Sequence, residues 1–312
     1  NFISLLFLIG DMRIQDVRAE DAAQCLLPII NTHANEAEKV SNLLSTFFRW
    51  ALNDGLLPSG VSPVSREGRF KDIVANHDDG LLESRNHAAL PYEQGPAFYS
   101  KLVAAGFTSS ALLRFIMLTA ARSQAARLCR WKEFDLEACT WNVPAENDKV
   151  KTTDPTKAPI REILLSPECV DLLKSLPSYA EGCKPESFVF ANLATGRPFT
   201  SESLVGAIKR LHEARKKEDG VGWIDPDKTR IIGEPARISV HGFRATFRTW
   251  AEEDEHGNVN TFNQTAAEFC LLHTVHDRTT RAYRRNPLKN ERRALMNAWG
   301  KYLSTGEWPQ KR

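Results

Sequence analysis

SVHGFRATFRTW, residues 239–250, sets His241 and Arg244 three positions apart. On a helix that spacing points both side chains from one face toward one object. An imidazole can accept a proton near neutrality, and a guanidinium stays charged at any working pH. The pair therefore suits an anion, although a short pattern of this kind also fits a helix whose histidine caps a loop and whose arginine faces water. Its meaning rests on the residues around it.

Toward the C-terminus, EFCLLHTVHDRTTRAYRRN, residues 268–286, holds His273 after an apolar run and Tyr283 ten positions later, flanked by Arg278, Arg281, Arg284 and Arg285. A phenol titrates near pH 10 and is a poor nucleophile at neutral pH unless nearby positive charge favours its anion. The same cations would hold a phosphate. Between Arg278 and Arg293 there are seven basic residues and one acidic residue, Glu291, so the stretch reads either as a solvated basic helix or as a tyrosine that attacks a phosphodiester. Toward the N-terminus, LTAARSQAARLCRW, residues 118–131, places Arg122 at the end of a hydrophobic helix expected over 110–131. Lys149 and Lys151 lie in NDKVKTTDPTK, a turn between two short strands read in TWNVPAE and APIREILLS.

With 312 residues, 42% of them hydrophobic and 26% charged, the chain reads as soluble and globular, and a net charge of +2 makes any basic surface local. Six cysteines without a CxxC pair fit a reducing cytosol and argue against a disulfide frame or a zinc site. No carboxylate cluster suited to a metal is evident. The apolar start, NFISLLFLIG, ends at Asp11 and Arg13 and is expected to be a buried or truncated segment rather than a signal peptide or membrane span. A chain opening on Asn1 is expected to be a fragment. Helices are expected within 14–55, with Gly55 as a stop, followed by a polar, irregular linker to a boundary near residue 88 and a loop over 216–237. The expected architecture is mainly α with a small antiparallel sheet: residues 1–87 as a helical domain with linker, and 88–312 as a larger domain.

In order, the singled-out residues are Arg122, Lys149, His241, Arg244, His273 and Tyr283. With LTAARSQAARLCRW, WNVPAENDK, HGFRATFRTWA, AEFCLLH and AYRRNPLKNERRALMNAWGKYL, the chain resembles the tyrosine recombinases, specifically integrases of satellite phages and genomic islands, over roughly residues 85–303. The resemblance implies a helical core-binding domain and a catalytic domain that clamp duplex DNA, with a further N-terminal domain for arm sites upstream. It implies that Arg122 and Arg244 hold the scissile phosphate, Tyr283 attacks it, Lys149 (or Lys151) protonates the leaving oxygen, His241 accepts the phenolic proton and His273 orients the phosphate. No metal or other cofactor is expected. The partners it implies are double-stranded attachment-site DNA, other copies in a homotetramer whose last helix docks on a neighbour, and DNA-bending and directionality proteins; no membrane is expected, and the place of action is a bacterial cytoplasm. One departure is Ala125, where relatives often carry an acidic residue that supports the first arginine. A type IB topoisomerase-like nicking-closing enzyme and a DNA-binding relative that does not cut are the competing expectations.

Overall fold

The computed structural model describes residues 8–57, 60–65, 68–77, 87–147, 161–273 and 288–309. The chain divides into two compact units, Asn1–Asn86 with Arg230–Gly233, and His87–Thr229 with Glu234–Arg312.

In the first unit, α1 (Ala19–Gln24), α2 (Ala34–Asn53) and α3 (Arg69–His77) share a core of their own. Leu44, Phe48 and Ala51 bury one stripe of α2, whereas Leu43 and Phe47 from the same apolar run are exposed. Gly55 takes a left-handed φ of 72° just past the helix, where the Leu56 N–H returns to the Ala51 carbonyl at 2.9 Å, so glycine ends α2 as expected. The linker expectation needs correction over α3. Phe70, Ile73 and Val74 recur there at helical spacing and pack on the first unit's core.

The second unit is built on α4 (Gly95–Ala105), α5 (Thr108–Thr119) and α6 (Ser123–Leu128). Leu112, Leu113, Phe115, Ile116, Met117 and Leu118 are all buried, and a helix apolar on nearly every side belongs at the centre of a domain. The single helix expected over 110–131 is broken. α5 stops at Thr119, Ala120 turns left-handed at φ 49°, and Arg122 is extended at the N-cap of α6. The Thr119 hydroxyl donates to the Phe115 carbonyl at 2.7 Å and accepts the Ala121 N–H at 3.4 Å, which helps to hold the break.

Three antiparallel strands follow in the order β1 (Phe134–Asp135), β2 (Thr140–Asn142) and β3 (Glu162–Leu164). β2 and β3 are the expected pair, with Trp141 opposite Ile163; β1, at two residues, is too short to show a period in sequence. Trp141 is buried, stacks on Phe134 and donates its indole N–H to the Glu133 carboxylate at 2.9 Å.

The remaining helices are α7 (Pro167–Lys174), α8 (Pro177–Ala180), α9 (Ser201–Asp219), α10 (Pro226–Ile232), α11 (Gly242–Glu252), α12 (Asn258–Thr261), α13 (Gln264–Cys270) and α14 (Lys289–Thr305). α9 and α10 occupy part of the stretch expected as a loop over 216–237. α14 covers the stretch expected either as a last core helix of its own domain or as a tail that docks on a neighbour. Leu295, Met296, Trp299, Tyr302 and Leu303 are buried in this unit's own core, and the Trp299 indole donates to the Met117 carbonyl of α5 at 2.7 Å. Among the described residues, no helix is long and apolar enough to cross a membrane.

Candidate functional site

The site is organised by the start of α11, against which residues 88–90 are laid. The Ser239 N–H and hydroxyl both donate to the Ala88 carbonyl, at 2.9 and 3.1 Å. The Thr246 hydroxyl donates to the Leu90 carbonyl at 2.7 Å, and the Ala89 N–H to the Asp225 carboxylate at 2.8 Å. Gly242 permits this approach, because a Cβ there would lie 2.0 Å from the Ala88 oxygen. Gly242→Ala is therefore expected to cost about 1–3 kcal/mol as an overpacking substitution. Thermal melting should fall by about 2–4 °C per kcal/mol; an unchanged melting temperature would contradict the close approach. The same docking brings the ring of His87 to 4.6 Å from that of His241, with both histidines exposed.

Arg244, three residues into the same helical face, is only 6% exposed. Its Nη1 donates to the Ala120 carbonyl at 2.7 Å and its Nη2 to the Leu271 carbonyl at 2.7 Å, while Nη2 also lies 2.9 Å from His273 Nε2. These acceptors sit just past the ends of α5 and α13. Ala120 itself and Leu272, which follows the second acceptor, both take left-handed backbone, with φ of 49° and 53°. For a residue with a side chain that conformation costs about 1–2 kcal/mol, and each of the two turns gives a carbonyl to Arg244. One guanidinium thus ties together the chain two residues before Arg122 and the turn that delivers His273. Arg122 is half-buried at the N-cap of α6, and its carbonyl accepts the Ala126 N–H at 3.1 Å.

His273 has a second contact, its Nδ1 lying 2.7 Å from Glu268 Oε2. Arg248, one turn beyond Arg244 on α11, donates from Nε to Glu268 Oε1 at 2.6 Å and from Nη1 to Gln264 Oε1 at 2.7 Å, and pairs with Glu252 at 2.6 Å. Partial burial pushes the Glu268 carboxyl up, but the hydrogen bonds from His273 and Arg248 outweigh it and leave the group below its ordinary value.

Four of the six expected residues, Arg122, His241, Arg244 and His273, thus belong to segments joined at the start of α11. Lys149 (with its alternative Lys151) and Tyr283 lie outside the described residues. Ala125 is buried on α6 within the hydrophobic core. Sequence reasoning missed Glu268, Arg248 and His87. The i, i+4 spacing of Arg244 and Arg248 was a usable signal for a shared face, whereas nothing local links His87 to His241. The expectation of no metal-suited carboxylate cluster also needs correction. Glu253, Glu255 and His256 bring ligand-type atoms within 4.8 Å of one another, just past the end of α11 away from His241, where Glu253 accepts the His256 N–H and His256 stacks on Trp308.

Solved structures of two integrases are similar in fold to this chain. The structure of the Tn1549 transposon integrase in complex with a circular intermediate DNA matches with a TM-score of 0.63 at 18% identity, covering 94% of this chain and 91% of that one. A lambda integrase dimer bound to a COC′ core site matches with a TM-score of 0.53 at 14% identity, covering 100% and 73%. In sequence, the chain is similar to prophage integrase IntZ of Escherichia coli (strain K12), at 26% identity over 252 residues, which is 79% of this chain and 51% of that protein. It is also similar to the integrase of Enterobacteria phage P4, at 24% identity over 311 residues, 96% of this chain and 62% of that protein. The chain therefore spans between 51% and 62% of the length of these curated relatives. No protein-family model matches it.

Proposed function

We propose that this chain is the DNA-cutting part of a site-specific recombinase, an integrase that cuts and rejoins duplex DNA through a 3′-phosphotyrosyl intermediate to insert or excise a mobile element. The observation that carries this is the Arg244 hub, which joins the segments bearing Arg122 and His273 and shares its helical face with His241. Those are the residue types that phosphoryl transfer needs, since the reaction depends mainly on positioning and on cations around oxygens that gain charge. Similarity to prophage integrases supports the same reading.

In this scheme Arg122 and Arg244 hold the non-bridging oxygens of the scissile phosphate. The Tyr283 oxygen attacks phosphorus in line as the bond to the 5′-oxygen breaks, His241 takes the phenolic proton, and Lys149 supplies a proton to the departing oxygen. His273 orients the phosphate. The 5′-hydroxyl of a partner strand reverses the step, because the phosphodiester energy is retained in the phosphotyrosine. The unit Asn1–Asn86 serves as the core-binding domain, with DNA contacts around Arg49, and the unit from His87 onward is the catalytic domain. Four copies act together on paired attachment sites in a bacterial cytoplasm, assisted by DNA-bending and directionality proteins.

The test is strand transfer between two labelled duplexes taken from DNA flanking the chain's own gene, in excess EDTA and without nucleotide. Joined products that form at an undiminished rate are expected. Transfer that stops in EDTA and returns with a divalent cation would overturn the metal-free scheme, and relaxation of any supercoiled DNA without joining would favour a nicking-closing enzyme instead.

A further inference from the structure

An arginine guanidinium has only N–H donors, so the His273 Nε2 that lies 2.9 Å from Arg244 Nη2 accepts a hydrogen bond and carries no proton. The ring's remaining proton then sits on Nδ1, 2.7 Å from Glu268 Oε2, which accepts it. The His273 side chain is 43% exposed, so packing alone leaves its ring and tautomer free to change. Glu268 is in turn held by Arg248, whose Nε reaches its other carboxylate oxygen at 2.6 Å and whose remaining nitrogens are engaged by Gln264 and Glu252.

We infer that Glu268, aimed by Arg248, is a positioning residue that locks His273 in the Nδ1–H tautomer and thereby fixes the guanidinium of Arg244. In the other tautomer an Nε2–H would face an arginine N–H, and the two donors would repel. A chain of four side chains, Arg248, Glu268, His273 and Arg244, then runs back to its own helix. All four lie on α11, α13 and the turn after α13. This inference rests on the recombinase reading, and it makes His273 act on the phosphate through Arg244 as well as directly.

The test uses the full chain with 15N-labelled histidine, with the His273 signals assigned by comparison with His273→Gln. Two-bond proton–nitrogen spectra of the neutral ring report which nitrogen is protonated. The wild type is expected to show the Nδ1–H pattern, and Glu268→Ala a mixture with the Nε2–H form. Covalent adduct formation on a nicked duplex should slow by about 10–100-fold in Glu268→Ala, the usual cost of losing a group that orients an active-site ligand, while DNA affinity stays within about threefold. Glu268→Gln offers one acceptor oxygen where the carboxylate serves both His273 and Arg248, so it should fall between wild type and Glu268→Ala in both tautomer pattern and rate. If Glu268→Ala does not fold, Arg248→Met is measured in its place, with a mixed tautomer pattern and slower adduct formation expected. An unchanged Nδ1–H pattern in the variant overturns the inference, as does a lost pattern with an unchanged rate. A wild type that forms no adduct sinks the recombinase reading instead, and the spectra still decide whether Glu268 sets the tautomer.

Discussion

Replacing Arg244 by alanine is expected to abolish measurable DNA cleavage and to destabilise the second unit at the same time. In the proposed scheme the catalytic loss follows from removing a charged donor at the oxygens that gain charge, typically about 100–1,000-fold in rate for one such donor. The stability loss has a separate cause. The Ala120 and Leu271 carbonyls each accept a guanidinium N–H at 2.7 Å at a position almost sealed from water. An unsatisfied buried group costs about 1–3 kcal/mol, so the two together remove a large share of a domain's usual 5–15 kcal/mol. Arg244→Lys separates the effects. Lysine keeps the charge but concentrates it at one point, which cannot reach two carbonyls and an imidazole with the geometry of a planar fork. Adduct formation by the lysine variant should fall nearly as far as that by the alanine variant, with a smaller fall in melting temperature. A lysine variant within about tenfold of wild-type activity would show that the fork geometry is not what the site uses.

The second large effect is expected from truncation after Pro287. This removes α14, with Leu295, Met296, Trp299, Tyr302 and Leu303 all buried against the rest of its own unit. At about 1.5–3 kcal/mol for each large apolar side chain taken out of water, the helix contributes on the order of the whole stability of a domain. The truncated chain should therefore lose the cooperative melting transition of the second unit. Trp299→Ala gives a graded version, at about 3–5 kcal/mol for a buried large-to-small change, and it also leaves the Met117 carbonyl of α5 without its indole donor. A truncated chain that still melted cooperatively would mean that α14 is dispensable in its own unit and available to a neighbour.

The parts of this protein that were legible in sequence are those governed by local chemistry. α2 was readable from the run Leu43, Leu44, Phe47, Phe48 and Ala51, of which the structure buries the last two and Leu44, and from the glycine that stops it, and β2 and β3 from their short apolar runs. His241 and Arg244 could be paired because a single helix fixes their spacing. The break between α5 and α6 was not legible, since it has neither glycine nor proline. Its Ala120 carbonyl is drawn to an arginine 124 positions further along the chain, and no local window contains that partner. α3 was hidden by its polar setting, and β1 by its length. Glu268 escaped for the same reason as the helix break. A carboxylate five positions before a histidine looks like any solvated helix face until Arg248 from another helix is seen to hold it.

The proposed chemistry turns on Tyr283. The most direct measurement is incubation with duplex DNA drawn from the flanks of the chain's own gene and nicked just 3′ of each cleavage position in turn. The small 5′-hydroxyl fragment then diffuses away after attack and traps the intermediate. The wild-type chain is expected to form a protein–DNA adduct that survives denaturation, and Tyr283→Phe to form none while binding the same DNA with equal affinity. An adduct that persists in Tyr283→Phe, or a wild type that binds this DNA and never forms one, would contradict the account.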